Sequence, residues 1–140
     1  MRPADRPGSR RWLLLPAAAL VLSGLATGCS STPAYCTDAS QLKTSVNDLG
    51  NVDVAKNGLG SLQTALSKVQ TSAKTLAADA KSAFPSQTTA LKNSLSGLEN
   101  AIKSAQGQPP LTAAAAVASS VTQVKTSADN LQSAVKGNCQ

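Results

Sequence analysis

Residues 62–83 read LQTALSKVQTSAKTLAADAKSA, and the apolar spacing within them decides the fold. Leu62, Leu66, Val69, Ala73, Leu76, Ala80 and Ala83 recur in alternating steps of four and three. Upstream, Val52, Ala55 and Leu59 continue the same stepping. A stripe of this period lies along one side of an α-helix, and the alternation of threes and fours marks helices packed in a left-handed bundle.

Three other segments carry the same signature. Before it stand Ala39, Leu42, Val46 and Leu49; after it, Leu91, Leu95, Leu98, Ile102 and Ala105, with Thr88 one step ahead. The last segment carries Ala114, Val117, Val121, Val124, Ala128, Leu131 and Val135. Apart from Thr88 every stripe position is apolar, and no charge from residue 29 onward falls on one. Helices are therefore expected over 38–50, 54–83, 86–106 and 111–136. Thr37 or Asp38 can cap the first, with Gly50 and Asn51 ending it. Asp53 can cap the second. Pro85 can start the third, with Ser86 as a competing cap. Gly107, Gln108, Pro109 and Pro110 separate the last two, Thr112 can cap the fourth and Gly137 can close it.

The cysteines test the helix count. Cys36 precedes the first helix and Cys139 follows the fourth. In an up-down-up-down bundle with short loops an even number of helices returns the chain to its starting end. Three helices would leave the two sulfurs roughly 30–40 Å apart at ~1.5 Å per residue, against a limit of about 7 Å between bridged α-carbons. The expected fold is all-α: an antiparallel up-down four-helix bundle closed by a Cys36–Cys139 disulfide. An intermolecular bridge is the alternative.

The third cysteine belongs to a different feature. Arg2, Arg6, Arg10 and Arg11 form a positive opening, and Trp12 to Ala26 form an apolar run. That run is too short for a permanent span, which takes about 20 residues. Leu25-Ala26-Thr27-Gly28-Cys29 then closes the segment. This resembles the leader and lipobox of bacterial lipoproteins, in the style of actinobacteria. The family prefers Leu three residues before the cysteine; this chain has Ala26 there and Leu25 one step further back.

The resemblance implies that residues 1–28 are a cleaved signal peptide and that Cys29 is the lipidation site, carrying acyl chains of the palmitate kind. It places the mature protein at the extracytoplasmic face of the cell membrane. The pair Arg10-Arg11 also fits a twin-arginine export signal loosely, so the general secretory and twin-arginine routes both stay open. Residues 29–36 then form a lipid-anchored tether, and 37–140 the helical bundle domain. From Ser30 to Tyr35 the tether reaches at most about 20 Å, which keeps the domain near the membrane.

Composition narrows the chemistry. The mature chain holds nine lysines against six acids and no arginine. A nucleic-acid surface calls for a dense basic patch with Arg and stacking aromatics, and only Tyr35 and Phe84 remain after the leader. Mild attraction to an anionic membrane is the natural consequence of the charge. The chain has no histidine, so the commonest general base and metal ligand is missing.

The remaining candidates are modest. Asp48 and Asp53 are able to approach each other, but read first as a helix-end residue and a cap. Glu99 with Lys103 and Lys125 with Asp129 have the four-residue spacing of surface pairs. Gly58-Leu59-Gly60 lacks a phosphate-loop partner and reads as a point of bending or close helix contact. No catalytic residue, cofactor or metal is expected. The expected role is a noncatalytic protein-binding or scaffolding module of the cell envelope, with an envelope protein as partner. A lipid or small-amphiphile carrier is the alternative.

Overall fold

The structure is a computed structural model and describes residues 32–139. The leader, Cys29 and the lipobox, on which the signal-peptide and lipidation expectations rest, lie outside the described residues. Among the described residues there are four helices and no strand: α1 Ala34–Gly50, α2 Val54–Ala80, α3 Pro85–Ala105 and α4 Pro110–Lys136.

Each expected stripe supplies core residues. Ala39, Leu42, Val46 and Leu49 of α1 are all buried, as are Leu91, Leu95, Leu98, Ile102 and Ala105 of α3. In α4 the first core position falls to Ala113 instead of Ala114, which is only partly buried. Among the described residues the buried set contains no polar or charged residue. Leu76 and Leu98, among the largest side chains in it, are fully closed off, and burying each contributes about 1.5–3 kcal/mol. Consecutive helices pack, α4 also packs on α1 and on α2, and α1 and α3 do not meet.

The ends of the helices differ from expectation in instructive ways. Helix α1 starts at Ala34, not 38, with Pro33 at its N-cap and no side-chain cap. Neither Thr37 nor Asp38 caps it. The Pro33 carbonyl receives the Cys36 amide at 3.0 Å instead. The last three residues of the expected tether thus belong to the first helical turn.

Prolines also displace the hydroxyl caps at the other starts. Phe84 and Pro109 occupy the N-cap positions of α3 and α4, each followed by proline, so Ser86 and Thr112 lie inside their helices. A proline at the first helical position has no amide to satisfy, and its fixed φ suits the helix. Of the expected side-chain caps Asp53 holds, its Oδ1 accepting the Lys56 amide at 3.1 Å, and Pro85 starts α3, Asn51 ends α1 and Gly137 closes α4 as expected. Helix α2 ends at Ala80, three residues early. Phe84 turns in to the core there, its amide donating to the Ala80 carbonyl at 2.8 Å, and leaves Ala83 exposed.

At the other end of α2 the stripe shifts phase. Gly58 sits at φ 75°, ψ 174° and kinks the helix. Before the kink Val54 is buried and Ala55 exposed, opposite to an unbroken stripe. Bending is therefore the use of this glycine. No neighbouring atom lies within 4 Å of the space a Cβ would fill at Gly58 or Gly60, so close helix contact is not.

Candidate functional site

Two of the three cysteines are brought together. Cys36 and Cys139 stand at disulfide distance, with α-carbons 5.8 Å apart across a sequence separation of 103. They pack against the core from the ends of α1 and α4. The same end of α1 carries Tyr35, whose ring meets Phe84 edge-on with centroids 5.6 Å apart.

Asp38 is close to this aromatic contact in sequence and was legible only as a cap. Its Oδ2 is buried and finds no hydrogen-bond partner. Burial first, and then the neighbouring Asp79 carboxyl, hold its carboxyl above the ordinary carboxylate range. The pair joins α1 to α2 from distant parts of the sequence, which no local pattern reveals.

The remaining acids are ordinary. Asp53 caps α2 and reaches the Lys56 ammonium at 3.6 Å; it does not pair with Asp48. Glu99 meets Lys103 at 2.9 Å, as spacing suggested. Lys125 and Asp129 form no such pair. Among the described residues no three potential metal ligands cluster, and no helix is long and apolar enough to cross a membrane.

Two grooves mark the surface. The larger, of about 650 Å³, follows the seam between α2 and α3. It exists because α2 presents alanines there. Ala77 and Ala78 keep open surface there, while Ala73, Leu91, Leu95 and Leu131 lie beneath as nearly closed core residues whose edges line the floor. Lys74 rises from the α2 wall, Lys81 from the cap just after it, and Lys92 from the α3 wall. The smaller groove, of about 350 Å³, runs beside the cysteine pair between α1 and α4, with Lys43 and Lys136 on its walls.

Sequence reasoning did not find the larger groove. A signal was available: lysines seven apart at 74 and 81 flank a run of alanines on one face of α2, where the facing segment offers leucines. Such a face packs loosely against a neighbour. No described protein family matches this chain, and neither the curated proteins nor the solved structures contain a match.

Proposed function

We propose that this chain is a lipoprotein anchored through Cys29 at the extracytoplasmic face of the cell membrane after removal of residues 1–28. Its bundle runs up-down-up-down and is covalently closed by Cys36 and Cys139. It serves, without catalysis, as a protein-binding or scaffolding module of the cell envelope.

The observation that carries the reading is the approach of the two cysteines to 5.8 Å between α-carbons. A disulfide belongs to an oxidising compartment, which agrees with the export leader. The up-down order draws support from side-chain contacts between helices. Tyr35 meets Phe84, and the Ser45 and Ser72 hydroxyls meet at 3.0 Å. Moving forward along α1 thus means moving backward along the next stretch of chain, the sense of an antiparallel pair. Ser94, near the middle of α3, meets Ser127 in the later half of α4 at 2.6 Å.

The anchor is tested by the Cys29→Ala chain. Acyl labelling of the wild type and its loss in the variant, with release of the variant from the membrane fraction, supports it; unchanged membrane retention refutes it. The binding role is tested by photocrosslinkers on exposed helical positions in intact cells. One reproducible protein adduct from one face supports it. Turnover of an envelope substrate by the purified protein refutes it.

A second reading, an amphiphile carrier, is favoured by one specific observation: the α2–α3 groove has an apolar base and a volume within the range of small-ligand sites.

A further inference from the structure

We infer that the α2–α3 groove binds a long-chain carboxylate, with its hydrocarbon chain on the alanine and leucine base and its head among Lys74, Lys81 and Lys92. This rests on the carrier reading and gives it a ligand class.

Shape comes first. On the α2 side the lining runs from Gln70 to Lys81, the residue that ends the helix, roughly 16 Å at 1.5 Å per residue. The groove follows the seam between the two helices, and alanine and leucine edges make up much of its lining. Such a trough suits one extended apolar chain better than a compact polar solute.

Charge then selects the head. Among the described residues the ion pairs are Asp53 with Lys56 and Glu99 with Lys103. Glu99, the one acid on the groove wall, is thus engaged by a lysine outside it. Lys74, Lys81 and Lys92 make no ion pair among the described residues. Three free ammoniums beside an apolar trough attract an anion and repel a cation. Lysine is a point charge on a flexible stem without the forked geometry of arginine, which fits a small head that needs no bidentate clamp. The stems also add apolar cover to the chain below them.

Occupancy of the groove would cover the alanines that α2 leaves uncovered, without moving any helix. A free fatty-acid type ligand is the occupant, not a bilayer surface: the base is recessed between two helices, where an intact membrane does not reach.

The test uses the full chain carrying Cys29→Ala, so that no attached acyl chain competes. Palmitate, below its micelle concentration, is titrated by calorimetry and by native mass spectrometry. One equivalent is expected to bind, more weakly as salt rises. Hexadecyltrimethylammonium, with the same chain and the opposite charge, is expected not to bind.

The variant K74E/K81E/K92E changes only exposed side chains and is expected to keep its circular dichroism and to lose about tenfold or more in palmitate affinity. Ala77→Leu, which fills the trough, is expected to lower affinity without touching charge. The variant K43E/K136E, in the other groove, is expected to bind as the parent does.

Equal binding of the cationic amphiphile, binding untouched by the triple exchange, or loss in K43E/K136E instead overturns the proposal. So does binding to anionic vesicles with none to free palmitate, or displacement of palmitate by no competitor except an acidic amphipathic helix. None of these outcomes bears on the anchor or on the scaffolding role, whose tests are separate.

Discussion

Asp38 shows how a single side chain escapes a sequence reading and still makes a measurable difference. Its Oδ2 is buried without a partner, and Asp79 lies against it. Both circumstances penalise the ionised form, burial the more, so the folded carboxyl holds its proton to higher pH than the unfolded one. The native state binds more protons than the unfolded chain between the two values. Stability is therefore full below the unfolded value and falls as pH rises through the folded one. Melting temperatures measured from about pH 3.5 to pH 7, spanning the carboxylate range, are expected to show this loss. Asp38→Asn is expected to remove that part of the slope, since an amide carries no charge to desolvate and can donate to Asp79. Parallel slopes in the two proteins would show that Asp38 is not the group responsible. The sequence could offer Asp38 a cap role because caps are local. Its actual neighbour is on another helix, and only the packing of α1 on α2 brings the two carboxyls together.

Among elements, α2 is where pattern and structure part. The stripe from Leu62 to Ala80 was readable because each step of three or four returns to the face that packs on the other helices. It fails before Gly58, where the backbone at φ 75°, ψ 174° breaks the helical phase. A glycine inside a 3.6-residue pattern does not announce which of its conformations it takes, so the kink could not be located from composition alone. The two neighbouring glycines are therefore expected to respond in opposite ways to the same change. Gly58→Ala forces a Cβ into a region that only glycine occupies freely and is expected to cost about 1–3 kcal/mol. Gly60→Ala, in regular helix with open space around it, is expected to stabilise by roughly 0.4–1 kcal/mol. Urea midpoints of the two variants decide it. A Gly58→Ala protein as stable as its parent would mean that the helix runs straight through. Helix starts were misplaced for a related reason: Pro33, Pro85 and Pro110 fix the chain direction before any hydroxyl is needed. The alanine face of α2 was legible as sequence but not as a groove, because its width depends on how far α3 stands away.

On the scale of the whole molecule, four apolar stripes and two distant cysteines were enough to give the helix count, and closure is where its stability is most exposed. The core is built on valine and alanine as much as on leucine, and alanines bury little area each. Much of the resistance to unfolding must then come from limiting the unfolded chain. A link across a sequence separation of 103 stabilises by up to about 4–5 kcal/mol on the chain-entropy account, comparable to the lower part of a small domain's whole stability. The double variant C36S/C139S is expected to lose an amount of that order in chemical denaturation, and reductant is expected to lower the parent's midpoint to that of the variant. Reductant added to the variant is expected to change nothing, which ties the parent's loss under reductant to this link. Cys29→Ser is expected to leave the midpoint unaltered in solution, because Cys29 stands outside the closed loop. Two alkylatable thiols from residues 36 and 139 in the native protein, or a variant as stable as its parent, would show that the ends meet by packing alone. The link also bears on the anchor. If Cys29 carries the proposed anchor, closure at Cys36 ties α4 as well as α1 to the same short stretch of chain. A pull transmitted through the lipid would then load a covalent ring instead of peeling α1 from its neighbours.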